Sequence, residues 1–377
     1  MKTEQLVGRK GMDWDRPPGL GEEAALAFVF GATDRLRDPA LFPRIRAMYP
    51  QACLLGCTTA GEIAGTQVLE GSVTVTAVSF AETRVALVST AIEPGEDSGA
   101  VGARLAAGLD KEGLRHVLVL SDGLMVNGTR LVQGLTAGLP PKTMVTGGLA
   151  GDGERFKETL ILADAPAQCG IVAALGFYGA RLRIGWGSVG GWDIFGAKRL
   201  VTRSQGNVLY ELDGQPVLDL YKKYLGKHAA ELPASALLFP LSVEHSGIVG
   251  NGLVRTVLSV NEEDKSMTFA GDIPEGSRAT LMYANFDRLV DGAGASAQQS
   301  LQVSGVGADL ALCISCVGRK LILKQRVEDE TEAVQDILGE HAMLAGFYSY
   351  GEISPLAETG RCELHNQTMT ITTFTEE

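Results

Sequence analysis

No stretch of this 377-residue chain is long and apolar enough to read as a membrane span. The longest apolar run near the start, residues 24–31, is too short to cross a bilayer. It follows Glu22-Glu23 rather than a basic segment, so it predicts a buried strand, not an anchor or a secretory leader. Basic clusters are also missing. Lys and Arg number 33 against 45 Asp and Glu, and a formal net charge of −12 repels nucleic acid. Cysteine is sparse, at six residues, and without a leader the thiols are expected to stay reduced in the cytoplasm. There the glycosylation tripeptide beginning at Asn366 means nothing. No Walker-type Gly-Lys-Ser/Thr occurs. Cys313 and Cys316 have metal or redox spacing, yet residues three apart on a strand face opposite ways and no second pair completes a zinc site. Cys53 and Cys57 share a strand face but lie about 13 Å apart at strand rise, too far for a disulfide. No metal site is expected.

What is present is an ordinary globular balance, 45% hydrophobic and 21% charged, in a length that suits about two domains. One local pattern occurs three times. Leu26–Phe30 reads as a buried strand, residues 34–49 have helical spacing, and Ala52–Leu55 is a second strand ending in Gly56-Cys-Thr-Thr-Ala-Gly61-Glu62-Ile63. His116–Leu120 ends in Ser121-Asp122-Gly123. A helix through Leu131, Leu135 and Leu139 follows, then a strand from Thr143 to Val145 leading into Thr146-Gly-Gly148-Leu-Ala-Gly151-Asp152-Gly153. Ala311–Cys316 precedes a helix with Val327, Val334 and Leu338, then Ala342–Leu344 and Gly346-Phe-Tyr348-Ser-Tyr-Gly351-Glu352-Ile353. Residues 54–63 and 344–353 agree at five of ten positions, which marks an internal duplication.

Strand–helix–strand alternation predicts an α/β fold of two domains, each a mixed β-sheet flanked by helices. Residues 1–23, polar and carrying Pro17-Pro18-Gly19, read as a loose N-terminal arm. The first domain is placed at 24–218 and the second at 219–377, with the seam at the short helix Asp219–Leu225. Alternating runs at 72–78 and 84–88 suggest a hairpin. Those near 160–162, 171–175, 182–184 and 200–202 suggest successive antiparallel strands.

The repeated loops fall at strand carboxyl ends, where α/β sheets place ligands. Cys57, Thr58, Gly61, Glu62, Asp122, Gly148, Asp152, Tyr348, Gly351 and Glu352 are therefore the candidate ligand-binding residues, in one cleft. The competing reading is that the Gly-Glu and Gly-Asp pairs only make turns and caps. Gly185-Trp-Gly187-Ser-Val-Gly190 matches a dinucleotide fingerprint as a string, but no helix start follows it. Cys57 is the best nucleophile candidate, although it lacks a visible base and its counterpart in the third copy is Phe347. No catalytic residue is assigned. Of His116, His228, His245, His341 and His365, only His365 lies beside a pocket loop, and a single histidine in an apolar pocket suffices as a haem ligand.

Taken in order, Gly56–Glu62, Ser121–Gly123, Thr146–Asp152, Asn207–Pro216, Tyr348–Glu352 and Leu364–Thr368 give a sequence that resembles the FIST family, an N-terminal FIST domain followed by its C-terminal companion. The resemblance implies a cytoplasmic small-ligand sensor for signal transduction rather than an enzyme. It implies output in trans on a histidine kinase or cyclic-di-GMP enzyme, with no nucleic-acid partner and no membrane insertion. It further implies haem as first-choice cofactor for nitric oxide sensing, with His365 as ligand and Asn366 orienting it. A sensor of a small metabolite such as an amino acid, and a Cys57-dependent enzyme, are the alternatives.

Overall fold

Strands buried on both faces carry near-continuous apolar runs, and three such strands organise this molecule: Leu26–Gly31, Leu114–Ser121 and Leu310–Cys316. The computed structural model describes residues 1–9, 13–244, 252–357 and 359–377. Each of the three strands leads through helix to a parallel partner, Cys53–Thr58, Met144–Leu149 and Met343–Ser349 respectively. The registers coincide: Val29 faces Gly56, Val119 faces Gly147, and Cys313 faces Gly346. A Cβ on any of these glycines would stand 1.8–1.9 Å from the facing residue's carbonyl oxygen. Only glycine permits that approach.

The rest of each sheet repeats as well. Each first strand has an antiparallel neighbour, Val73–Ser79, Ile171–Tyr178 or Met369–Glu376. Beyond it lies an edge strand, Lys2–Gly8, Arg84–Ala91 or Leu182–Val189. On the other side the strands are exchanged in a cycle. Glu62–Ala64 leaves the first unit to pair with Met343–Ser349 of the third. Gly351–Pro355 leaves the third to pair with Met144–Leu149 of the second. Ile161–Ala163 leaves the second to pair with Cys53–Thr58 of the first. The three sheets enclose an apolar centre in which Phe30 meets Phe347 at 4.7 Å and Phe177 meets Phe374 at 5.2 Å between ring centroids. Helices cover the outer faces.

Strands between Asp193 and Tyr283 build a fourth sheet, antiparallel and nine-stranded, with its own core around the helix Val217–Leu225. The 19-residue helix Phe286–Ser304 then lies on Leu182–Val189. The dinucleotide-like string is explained here: a Cβ at Gly185 or Gly187 would meet the carbonyl oxygen of Ser300 or Ser296 at 1.9 or 2.0 Å. These glycines admit a helix, not a pyrophosphate. A buried pair, Arg319 and Glu330 at 3.2 Å, fastens this region, with Arg319 also donating to the carbonyls of Leu289 and Gly190.

The mixed α/β class and the duplication are as read from the sequence. Several local expectations need correction. Residues 1–23 are not a loose arm throughout: Lys2–Gly8 is a paired edge strand, and Gln5 donates to the Leu344 carbonyl at 3.1 Å. Residues 73–79 and 84–91 form no hairpin, because the turn between them passes from one sheet to the next. The four strands expected in succession after residue 160 fall into four different sheets. The seam at 218/219 does not divide the sheets, since strands from both sides of it share three of the four. Among the described residues no helix is long and apolar enough to cross a membrane.

Candidate functional site

Loops at the carboxyl ends of parallel strands expose free amides and side chains. Here three units bring such loops to one cleft of about 1090 Å³. The first unit contributes Asp34, Thr59 to Glu62, and Val68 to Gly71. The second contributes Asp152 to Arg155, and the third Val317, Lys320, Leu321 and Lys324. Nine of its twenty lining residues are charged, five acidic and four basic, so the cleft offers both signs to a ligand.

Glu62 is held at the cleft wall. Its carboxylate accepts from Thr59 Oγ1 and Ser72 Oγ, each at 2.5 Å, and from the Ser72 amide at 3.3 Å. Burial pushes its pKa up to about 7, against the pull of those bonds and of Lys320. Glu352 repeats this arrangement, accepting from Ser349 Oγ at 2.8 Å and from the Thr368 hydroxyl and amide at 3.0 and 3.2 Å. Deeper burial pushes it to about 8. The two motifs are thus structural equivalents. However, Glu352 is fully buried and lies outside the cleft.

Asp152 is not a third copy. Counted from the matched glycines, it falls one position short of the glutamates. It accepts the amides of Phe156, Lys157 and Glu158 at 2.9–3.0 Å and the Tyr350 hydroxyl. Burial raises its pKa, but those donors and Arg155 outweigh it and leave the carboxyl below its ordinary value. Arg155 donates to the Asp152 carbonyl and to Thr33 Oγ1, both at 2.8 Å. Lys320 donates to the Ala60 carbonyl at 2.6 Å and pairs with Glu70.

Of the ten expected ligand-binding residues, Gly61, Glu62 and Asp152 line the cleft. The others are placed elsewhere. Cys57 is fully buried in the apolar centre, where burial raises its thiol pKa well above normal, the opposite of an activated nucleophile. Thr58 is buried, its hydroxyl accepting the Leu160 amide at 3.0 Å. Asp122 caps the amides of Leu124, Met125 and Gly170 at 2.8–3.0 Å. Tyr348 is buried in the core, and Gly148 and Gly351 lie inside the exchanged strand pairing. As ligand-binding carboxylates Glu62 and Glu352 would need accessible side chains. Both are buried and multiply bonded, so removing either leaves unsatisfied hydroxyls.

His365 does not line the cleft. It pairs with Glu352 across a hairpin, is 6% exposed, and its Nε2 lies 3.0 Å from the Ser354 carbonyl oxygen. Burial drives its pKa down to about 4. Asn366 donates to the His365 backbone carbonyl rather than to the ring. This geometry does not fit an iron ligand, because Nε2 is already engaged by the Ser354 carbonyl and the buried ring does not line the charged cleft. His116 bonds Thr146 Oγ1 at 2.8 Å in the core, and His228 lies against Phe239. His245 lies outside the described residues. Among the described residues no cluster of metal-ligating side chains is present. Sequence reasoning missed Arg155, Lys320 and Lys324; the two lysines follow a strand with no glycine-rich loop to mark them.

The FIST N domain model matches residues 25–215 and the FIST C domain model residues 218–355. An uncharacterized protein of Mycobacterium tuberculosis is 27% identical over 382 residues, covering 94% of this chain and 92% of its own. One from Mycobacterium bovis is 26% identical over 376 residues, covering 95% and 92%. Among solved structures, cyanuric acid hydrolase from A. caulinodans aligns over 100% of this chain and 98% of its own, at 10% identity and a TM-score of 0.36.

Proposed function

The chain belongs to the FIST family, whose domains are small-ligand sensors in signal transduction, and we propose on that premise that this member senses a small zwitterionic metabolite such as an amino acid. The observation that carries this reading is the cleft itself: carboxylates and cations from three chain units face one space at the strand ends. A ligand with an ammonium and a carboxylate finds both complements there, and charge-assisted bonds are the strong ones. The cleft's described lining has neither histidine nor cysteine, which gives haem and nitric oxide no support from this site. The core position of Cys57 likewise withholds support from a thiol enzyme. The receiver of the signal in this reading is a signalling protein such as a kinase or a cyclic-di-GMP enzyme.

A thermal-shift and calorimetric screen of the twenty amino acids tests the reading. Ligand at 100 times its Kd stabilises the folded state by about 2.7 kcal/mol. Arg155→Ala, at a half-exposed side chain, is expected to weaken binding about tenfold with little loss of stability. If no amino acid stabilises the wild type, or Arg155→Ala binds with unchanged affinity, the reading fails.

A further inference from the structure

The threefold repetition places a second crevice where the first one sits. Val317 and Gly123 each fall four residues after the matched first-strand position, and Ala60 and Tyr350 each fall four after the matched glycine. Val317 and Ala60 line the charged cleft. Gly123 and Tyr350 line a separate cavity of about 220 Å³, also lined by Leu258 and Phe269 of the fourth sheet and by Gly271 just beyond it. None of its thirteen lining residues is charged.

We propose that this cavity is a second binding site, for a small, flat, uncharged ring compound. Three large apolar side chains that line it are left in solvent: Leu124 at 41%, Phe156 at 47% and Leu258 at 45% exposure. An exposed apolar surface in a concavity marks a binding site more than one scattered over a convex face. Phe156 is presented at a cost. Its φ is +50°, a region that bulky side chains avoid, and Asp152 holds the turn there through three consecutive amides. One face of the ring stacks on Tyr350, with centroids 4.4 Å apart and planes at 12°. The side chain stays 47% exposed, which leaves ring surface for a stacked ring. The volume lies below that of most drug-sized pockets, about 300–1,000 Å³, and so limits the occupant to one or two fused rings. The turn that carries Phe156 also supplies Asp152 to the charged cleft, so the two sites share a wall.

Indole is the probe, titrated against the full chain and followed by saturation-transfer NMR, with Kd expected on the order of a millimolar or tighter. Phe156→Gly removes the platform while relieving the backbone, which protects the fold. Leu258→Glu places a charge at the opposite wall from an exposed position. Each is expected to weaken indole binding at least tenfold, and Leu200→Glu, at an exposed apolar residue elsewhere, to leave it unchanged. The proposal is overturned if the wild type shows no saturation transfer, if either cavity variant binds as the wild type does, or if Leu200→Glu loses binding equally. Indole binding that survives Leu258→Glu would put the ring in another site, such as the charged cleft.

Discussion

Glu352→Gln isolates the energetic role of a buried carboxyl. In the folded protein Glu352 titrates near pH 8 and Glu62 near 7, against 4.5 for an ordinary glutamate. Each therefore holds its proton when the unfolded chain has released it. Their stabilisation is complete below pH 4.5 and is lost as pH rises to the folded values, at about 1.4 kcal/mol per unit for each group. The two buried histidines act with the opposite sign. His116 and His365 are depressed to about 3 and 4 from 6.5, so the unfolded chain binds more protons below 6.5 and stability rises with pH there. Between pH 4.5 and 6.5 the two effects oppose one another. Above 6.5 only the glutamates remain of these four, and Glu352 alone removes about 2 kcal/mol by pH 8. Glutamine has the same shape and no charge to desolvate, so Glu352→Gln should flatten the decline above pH 6.5 while the wild type falls. Urea unfolding followed by circular dichroism from pH 5 to 8.5 measures this. Parallel profiles for the two proteins would refute the reasoning.

Gly346→Ala, at φ +154° and with its Cβ 1.8 Å from the Cys313 carbonyl oxygen, should destabilise by roughly 3 kcal/mol or more, read as a fall in the urea midpoint. Thiol labelling with mass-spectrometric readout should modify exposed Cys169 first, and reach Cys57, Cys313 and Cys316 only on unfolding. His365→Ala should cost about 1–3 kcal/mol, from the lost bond to Ser354, and leave ligand affinity in the charged cleft unchanged by calorimetry.

The three strand–helix–strand units were legible because their signals are local: an apolar run, a glycine, then helical spacing. What a strand pairs with is not local. The alternation at 72–91 reads as a hairpin in any window, yet Val78 pairs with Leu26 while Leu87 pairs with Leu175. The glycine–acid motifs were correctly matched as repeats, but their burial was hidden. The partners that satisfy the carboxylates, Ser72 and Thr368, stand ten and sixteen residues further along. Lys320 was silent for another reason: it occupies a short helix directly after a strand, and a single lysine on a helix carries no pattern.

The repeated motif has a mechanical reason tied to the strand exchange. Glu62 opens a strand that belongs to the third unit's sheet, while Thr59 and Ser72, which bind it, flank strands of the first unit's sheet. Glu352 likewise opens a strand in the second unit's sheet and is bound by Ser349 and Thr368, beside strands of the third unit's. In both places a buried carboxyl ties the departing chain back to the sheet it has just left. The second unit crosses through the longer segment 150–160 and has no glutamate at the matching position. There Asp152 instead folds the crossing segment on itself, and Thr58 anchors its far end through the Leu160 amide. A crossing of that length cannot lie flat on the sheets. It projects Arg155 into the charged cleft and Phe156 into the uncharged cavity. The crossing that departs from the pattern of the other two is therefore the segment that gives both sites their distinctive side chains.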